Sequence, residues 1–495
     1  TFKYDNVSLL AFDRFDELHD IGYKRTMQLM DSIKTRISRR VNYRQLERKR
    51  TAYKNMLPEL RFRNISIEGA NEQQIKYIRK EFHSSEKEVF SMEDLRRGYF
   101  RLMADNMISE IIPHAVYNGE DHLFDLHLKV KMEDDLALRV GGNVASNGVN
   151  QIYIGATYHN LNYYAKEMSI DGQIGQVYNN LQLAGRMDFP THLPTSYRFI
   201  ASMSSLDYFK QERLFTSGNT PVFNKNKEYF LKLQMSMPFL TSQKAEFSIG
   251  VGRLEDQYFQ TNVIDFVNDN RDQSSYNIFG GSVALEGNPL DSRQFATSGR
   301  KERLVANVYT GKEHYKDGVY NEESPMSKYE YTQSWLQISY ELERYSQLSS
   351  QFTLGQYIHS YYSSRNFSQN YTATMMQAGT FAPTAHSKIS YNEAFRANQF
   401  IGAGLIPIFK LNSVVQARAE VYGFMPIFPI MKDEDNKAYY GKTFSKVEYM
   451  GQISLVIKLP FGAVSAYVNH YSSPTKNWNA GLTLGWQLFN SRFIE

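Results

Sequence analysis

The feature that most constrains this chain is a period-two alternation of apolar and polar residues. It begins near Leu136 and continues to the end of the sequence. In one segment, Leu336, Ile338 and Tyr340 alternate with polar neighbours. A period of two is that of a β-strand, whose successive side chains point to opposite faces. Each segment is about ten residues long, the length with which a tilted strand crosses a bilayer.

The number of these segments predicts a closed barrel. An even number of antiparallel strands can close and leave no unpaired backbone in hydrocarbon. A soluble sandwich would show similar strands, but the 35 Tyr and 32 Phe, abundant at segment ends, favour the membrane version. Sixteen segments lie near residues 135–146, 150–159, 164–176, 179–189, 195–208, 226–239, 244–258, 275–286, 302–313, 329–344, 349–361, 397–409, 413–424, 445–459, 462–472 and 478–489.

The connections between these segments alternate in length. If the first strand runs outward, the long connections lie on the outer side, and 362–396 is the longest of them. The turns on the inner side are mostly short, as in Leu240–Gln243 and Pro460-Phe461. Long outer loops and short inner turns are typical of outer-membrane barrels.

Composition excludes several classes of protein. No stretch reaches the roughly 18 apolar residues of a spanning helix, so a helical membrane protein is excluded. The formal net charge of +4 argues against a dedicated nucleic-acid binder. The absence of Cys excludes disulfides, thiolate metal sites and cysteine nucleophiles. The first residue is Thr1 and no signal peptide follows it, so we expect the C-terminal part of a longer precursor.

Residues 1–58 read as helical and polar. Apolar positions recur at helical spacing, as in Met27, Met30 and Ile33, and a basic stretch follows from Arg36 to Arg50. One interpretation is a solvated helical linker. The other is a contact with anionic lipid headgroups, which attract clustered Lys and Arg.

Residues 59–132 read as a small α+β domain with the order β-α-α-β-β. A strand at Arg61–Glu68 ends at Gly69, and Asn71 can cap the helix that follows. Ser91 and Asp94 form a capping-box pattern for a second helix. Two strands near 108–117 and 123–130 are joined by Asn118-Gly119, a strong hairpin signal.

Catalytic and metal motifs are not found, so we expect no catalytic residue, metal site or cofactor. The nearest approach to a nucleophile elbow, Gly280–Ala284, lies inside a predicted strand, where Ser282 has no catalytic role. His122 and His127 flank a hairpin strand and are read as surface histidines.

The polar faces of the strands carry charges, Arg418 among them, that would point into the barrel lumen. These charges either line an ordinary hydrated interior or hold an inserted loop. The candidate loop is 362–396, which carries Arg396. Arginine makes strong, directional hydrogen bonds to carboxylates. We therefore predict a lumen-loop contact between Arg396 and the wall carboxylates Glu341 and Glu420.

The order of elements resembles one family. A β-α-α-β-β module before a sixteen-stranded barrel is similar to the BamA/TamA outer-membrane assembly superfamily, whose small domains are POTRA domains. Leu290–Gly299 resembles the family's inner turn, with Ala296 where Pro is expected. The loop ending at Arg396 matches the family's lumen-inserted loop in position, although Ala397 follows where the family has Gly. Gly485–Phe493 resembles the closing strand that the assembly machinery recognises.

The N-terminal stretch resembles a second family. Phe12–Leu18 followed by Asp20-Ile21-Gly22-Tyr23 looks like the tail of a patatin-like domain. With one POTRA-like module and the barrel, this resembles patatin-like phospholipases that carry their own barrel. That resemblance implies a serine acyl hydrolase N-terminal to this chain, and neither of its dyad motifs lies in this sequence.

The expectation is therefore a barrel and POTRA-like module that anchor, and help to export or position, a lipid acyl hydrolase. The alternative is a non-enzymatic assembly or translocation protein of the BamA/TamA type; a passive diffusion pore is a third, less favoured reading. The expected location is the outer membrane of a Gram-negative bacterium, with residues 1–132 periplasmic. Expected partners are the bilayer with its lipopolysaccharide, the barrel assembly machinery, and a second copy or a larger complex. No nucleic acid is expected.

Overall fold

The computed structural model describes most of the chain. The described residues are 15–37, 42–56, 60–82, 89–105, 107–146, 150–162, 164–189, 193–208, 224–240, 242–259, 270–318, 328–460, 462–472, 478–490 and 492–494. The predicted patatin-like residues 12–14 and much of the outer loops 209–225, 259–274 and 314–328 lie outside this set.

Three helices come first: α1 (Phe15–Gln28), α2 (Met30–Arg36) and α3 (Tyr43–Met56). None of them buries a side chain among the described residues. Along α1, the rings of Phe15, His19 and Tyr23 stack at successive turns. No helix in the described part of the chain is long and apolar enough to span a bilayer.

A small α/β sheet follows, and it confirms the predicted helices and strands. Its elements are β1 (Arg61–Glu68), α4 (Glu72–Phe82), β2 (Phe90–Ser91), α5 (Met92–Met103), β3 (Ile108–Asn118) and β4 (Leu123–Met132). The sheet order is β2-β1-β4-β3, with β1 parallel to β4. The Asn71 side chain caps α4, and Ser91 and Asp94 form the predicted capping box of α5. The two-residue strand β2 was not predicted.

The apolar core of this small domain reaches the barrel. Ile78 of α4 and Leu126 and Leu128 of β4 are at most 1% exposed. Leu161 and Ala165, on either side of the first inner barrel turn, belong to the same buried cluster. The small domain therefore packs directly on the inner rim of the barrel.

The barrel itself is closed and antiparallel, with the sixteen predicted strands in sequence order. Its strands are β5 (Leu136–Ala145), β6 (Gln151–Leu161), β7 (Ala165–Gly175), β8 (Tyr178–Phe189), β9 (Thr195–Tyr208), β10 (Asn224–Leu240), β11 (Gln243–Tyr258), β12 (Asp272–Gly287), β13 (Gly299–Lys316), β14 (Lys328–Gln347), β15 (Phe352–Ser363), β18 (Gln399–Lys410), β19 (Val415–Pro426), β22 (Glu448–Leu459), β23 (Gly462–Tyr471) and β24 (Trp478–Gly485).

The connection between β15 and β18, residues 364–398, is called the lumen loop here. It contains α6 (Tyr371–Gln377), β16 (Gly379–Thr380), α7 (Ala385–Ile389), a 3₁₀ turn (Glu393–Phe395) and β17 (Arg396–Ala397). The outer loop between β19 and β22 forms the hairpin β20 (Ile430–Lys432) and β21 (Ala438–Tyr440).

The outward faces of the strands are apolar and exposed in the isolated chain. Val140, Ile154, Ile249 and Ile453 are each at least 55% exposed. A belt of exposed aliphatic side chains around a closed barrel is the surface that a bilayer covers.

Candidate functional site

The joint between the first and last barrel strands, which we call the seam, is incomplete. Strand β24 pairs with β5 at only three positions, Asn143–Ala145 against Thr483–Gly485. Two flanking backbone hydrogen bonds extend it, from Ser146 to Leu482 and from Trp486 to Gly142. Residues 136–142 of β5 pair with β6 along their other edge, but no described ladder position on β24 matches them.

A close approach of two glycines marks the point where the seam stops. Gly485 has a φ of +108°, a region that side chains rarely adopt. A Cβ at this position would lie 2.2 Å from the carbonyl oxygen of Gly142 on the facing strand. After Gly485 the chain leaves the wall. The predicted last strand, 478–489, is therefore four residues too long, and the segment read as a closing strand lies in the lumen beyond Gly485.

We call residues 486–490 and 492–494 the strap. Its near end is held by backbone contacts to the inner turn and to β6. The Gln487 carbonyl accepts from Gln294, and the Leu488 carbonyl and amide bond the Gln151 side chain at 2.9 and 3.2 Å. Asn490 then reaches β8, where its amide lies 3.3 Å from the Tyr178 hydroxyl.

The far end of the strap is fastened to the opposite wall. Nε of Arg492 donates to Glu228 at 2.7 Å, and the backbone amide of Phe493 donates to the same carboxylate at 3.0 Å. Glu228 is 1% exposed. The Phe493 ring is 3% exposed and packs against Phe230 and Tyr309, where Gly250 leaves room for it. The strap thus crosses the lumen from the seam to β10, β11 and β13.

The lumen loop fills much of the remaining interior. Phe381 is 1% exposed and sits among inward-facing rings of the wall, including Phe400 and Phe424. The Arg365 guanidinium lies 4.5 Å from the centres of both the Tyr276 and Trp335 rings. Such stacking of a buried cation on two aromatic faces is favourable. The loop is therefore inserted in the barrel.

The three predicted contact residues take part in different interactions. Arg396 is 6% exposed, and its Nη1 donates to the carbonyls of Met375 and Met376 at 3.1 and 2.9 Å. Its guanidinium also lies over the Tyr391 ring. These partners belong to the lumen loop itself, so Arg396 ties α6 to β17.

The two carboxylates lie on the wall with other cations. Glu341 accepts from Lys301 at 2.8 Å and from the Tyr357 hydroxyl at 3.1 Å. Glu420 pairs with Arg418, with Nε 3.2 Å from Oε1, and accepts from Tyr422 at 2.8 Å. Both sites lie inside the barrel, as the alternation predicts.

The residue that holds a neighbouring element to the wall is Arg418. Its Nη1 donates to the carbonyl of Ala296 at 2.9 Å, and its guanidinium faces the Phe295 ring at 5.8 Å. Sequence reasoning placed Arg418 in the lumen but did not assign this contact. The signal was available in the Leu290–Gly299 pattern, which forms a turn folded into the lumen.

This inner turn, residues 288–298, is organised by Asp291. Its carboxylate accepts from the Thr297 amide and hydroxyl at 2.8 Å each and from the Ser298 amide at 3.1 Å. Gly299 has a φ of +99°, and a Cβ there would lie 2.1 Å from the Pro289 carbonyl oxygen. The turn and the strap meet inside the barrel, where Gln294 donates to the Gln487 carbonyl next to the seam.

Two cavities of about 630 and 610 Å³ remain around the strap and the lumen loop. Both are lined by Lys301, Glu341, Lys388 and Phe489, so they adjoin. No group of three or more metal-ligating side chains occurs in the described part of the chain.

Comparison with solved structures identifies the fold. A crystal structure of BamA from Haemophilus ducreyi lacking POTRA domains 1–3 matches with a TM-score of 0.57 and 14% identity, over 86% of this chain and 84% of that one. CdiB from Acinetobacter baumannii (TM-score 0.48, 9% identity, 86% and 74% coverage) and from Escherichia coli (0.46, 12%, 87% and 77%) also match.

At 14% identity, the similarity to BamA is a similarity of fold. With TM-scores under 0.5, the similarities to CdiB support no further conclusion. No family model matches the sequence, and no curated protein does either. The chain thus has the fold of a BamA-type barrel with a small α/β domain before it.

Proposed function

We propose that this chain is an outer-membrane barrel that handles polypeptide strands at its seam, as an assembly or translocation protein of the BamA type. The observation that carries the proposal is the short seam, where β24 leaves the free edge of β5 at residues 136–142. A free strand edge presents unpaired N–H and C=O groups, which an incoming strand can satisfy by β-augmentation. The BamA-like fold supports this proposal.

In this proposal the small domain at residues 59–132 is a POTRA-type module in the periplasm, with residues 1–58 on the same side. Its β3 lies at one edge of the sheet and carries exposed Ile112, Val116 and Tyr117. That edge would receive a passing chain before the barrel does. The bilayer with its lipopolysaccharide and the barrel assembly machinery are the proposed surroundings, and a second copy or a larger complex is a further proposal.

The test uses a disulfide across the seam in a chain that has no native Cys. Ala145→Cys with Thr483→Cys places two thiols at directly paired positions. Opposed residues of an antiparallel pair have a Cα separation that a disulfide accepts. Oxidation should deplete other outer-membrane proteins in cells that depend on the variant, and reduction should restore them.

The control is Val283→Cys with Ala306→Cys, paired in the continuous β12–β13 ladder. This control variant should form its disulfide and leave the levels of other outer-membrane proteins unchanged. Unchanged levels of other outer-membrane proteins in the oxidised seam variant would overturn the proposal.

A second candidate is the anchoring of an N-terminal lipid hydrolase. The observation that favours it is that α1–α3 bury no side chain among the described residues and so belong to neither core. The intact mass of the protein isolated from outer membranes is the test. A mass near 57.4 kDa contradicts the anchor, whereas an excess of roughly 30 kDa, the size of one domain, supports it.

A further inference from the structure

The second lumen cavity carries an excess of positive charge. We call this cavity, of about 610 Å³, the basic basin. The strap residues Phe489 and Phe493 lie along it. The charged side chains that line it are six cations and three carboxylates: Arg198, Lys232, Lys244, Lys301, Arg303 and Lys388 with Glu246, Glu286 and Glu341.

The three carboxylates already have cationic partners. Glu246 accepts from Lys244 at 2.9 Å, and Glu286 lies 3.7 Å from the same ammonium. Arg303 lies 3.9 Å from Glu286. Glu341 forms an ion pair with Lys301 at 2.8 Å. The lining therefore holds three more cations than carboxylates.

Two of those cations, Arg198 and Lys388, have no carboxylate within ion-pair distance in the described part of the chain. The wall neighbours of Arg198 in the ladder are Arg186 and Gln234, and Arg186 is itself paired with Asp188 at 2.8 Å. Lys388 stands on α7 of the lumen loop and lines both cavities. Charges enclosed in a low-dielectric cleft attract counter-charges more strongly than charges on an open surface.

The surroundings of the basin decide what kind of anion can reach it. Ladders from β8 to β14, continuous except for an irregularity between Pro238 and Leu240, separate it from the bilayer. At the inner end, Lys244 and Glu286 also line a cavity of about 710 Å³ between the small domain and the barrel rim. One way into the basin therefore leads past the small domain, and a lipid headgroup would have to leave the membrane to enter by it.

Neutral hydrogen-bonding side chains complete the lining. Gln234, Ser248 and Asn307 line the basin. Amides and hydroxyls can bond a peptide backbone, which offers both donors and acceptors. We infer that the basic basin binds an acidic peptide segment that enters from the side of the small domain. This inference deepens the proposed function and rests on it.

The experiment uses the full chain in lipid nanodiscs and a fluorescent ten-residue peptide in which Asp alternates with Ser. Matched peptides carry Asn or Lys in place of Asp, and binding is measured by fluorescence anisotropy. The Asp peptide should bind, and raised salt should weaken it because the attraction is electrostatic. Arg198→Gln combined with Lys388→Gln should weaken binding by roughly tenfold.

The matched control is Arg253→Gln with Lys312→Gln, which removes the same charge from the outer face, where both side chains are about half exposed. It should leave the affinity unchanged. Equal binding of the Asp and Asn peptides, or no effect of the basin variant, would overturn the inference. Binding of inorganic pyrophosphate that matches the peptide in affinity and displaces it would show a small-anion site and would overturn the peptide assignment.

The seam proposal and the basin inference can be distinguished, because each can fail while the other holds. If the oxidised seam variant has no phenotype while the Asp peptide still binds, the seam proposal fails and the basin stands as a peptide site. If the seam variant depletes other outer-membrane proteins but the peptide does not bind, only the basin inference fails.

Discussion

Glu81 of α4 is 9% exposed, and its carboxylate lies 3.7 Å from Nη1 of Arg101. Burial raises the pKa of this carboxyl, and the charge of Arg101 offsets only part of the shift. A folded-state pKa above the unfolded value means that Glu81 favours folding below the unfolded pKa of about 4.3 and loses that contribution as pH rises through the folded pKa. At neutral pH the ionised side chain therefore costs stability.

Glu81→Gln should stabilise the small domain at pH 7, by ~1 kcal/mol, and the gain should shrink toward pH 4. The loss of the Glu81 charge does not leave Arg101 as an unsolvated cation, because the Arg101 side chain is 31% exposed to water. Hydrogen exchange of the α4 and α5 amides in the full chain measures the change. Glu93→Gln, on an 86% exposed side chain of the same domain, is the control. Lower protection in Glu81→Gln at pH 7 would contradict the argument.

The pKa of Asp291 is shifted in the opposite direction to that of Glu81. Burial raises the pKa of its carboxyl, but hydrogen bonds from Thr297 and Ser298 outweigh it and lower the pKa overall. Its stabilising contribution is present above the unfolded pKa of about 3.9 and is lost as pH falls through the folded pKa. Asp291→Asn should therefore destabilise the inner turn by ~1 kcal/mol at pH 7 and by little at acid pH.

The readout for Asp291→Asn is hydrogen exchange in a peptide that covers residues 288–298. Ser292→Ala, whose hydroxyl bonds only the Gln294 carbonyl among its described contacts, is the neighbouring control. An effect of Asp291→Asn that stayed constant down to acid pH would show that the charge of Asp291 is not what organises the turn.

At the scale of elements, the sixteen strands could be predicted because the alternation of side chains is a local property. The end of β24 could not be predicted, since Trp486–Leu488 continue the apolar alternation. The close approach of Gly485 to Gly142 and the lumen contacts of the strap exist only in the folded barrel. The lumen position of the loop was expected from Arg396 and from the resemblance of the loop to the family's lumen-inserted loop. The partners of Arg396 were not, because Met375 and Met376 offer backbone carbonyls, which leave no mark on the sequence pattern.

The strap depends on the Arg492–Glu228 pair, and this dependence can be tested. Arg492→Met leaves the 1% exposed Glu228 with only the Phe493 amide as a partner from the strap. Loss of one partner of a buried charge pair is costly, ~3 kcal/mol. The far end of the strap should therefore detach from the wall.

Detachment of the far end is measured through a single thiol introduced by Ile494→Cys, next to Phe493, in a chain that has no native Cys. A large maleimide reagent should label it slowly in the parent and much faster, roughly tenfold or more, when Arg492→Met is added. A thiol at Ser146→Cys, on the outer side of the seam, should label equally in both. Equal labelling of Ile494→Cys in both backgrounds would show that the Arg492–Glu228 pair does not hold the far end of the strap.

At the scale of the whole molecule, the lumen is closed by two elements that lie side by side. Tyr178 of β8 packs against Phe489 of the strap and against Ile389 of the lumen loop. The strap is fixed through Arg492 and the loop is tied internally through Arg396. Because the strap and the lumen loop lie side by side, each blocks a different part of the same cross-section of the lumen. Freeing one of them therefore opens only the part that it blocks.

This arrangement predicts the conductance of the purified barrel in a planar bilayer. Arg492→Met and Arg396→Met should each raise single-channel conductance by less than about twofold, and the double variant by about the sum of the two increments. Arg253→Met, on the outer face, should change nothing, since it removes a charge that does not face the lumen. No rise in Arg396→Met would mean that the bonds of Arg396 to α6 do not keep the loop in place. A double variant no more conductive than one single variant would mean that a single element limits the current, and that the strap and the loop obstruct the lumen in series rather than side by side.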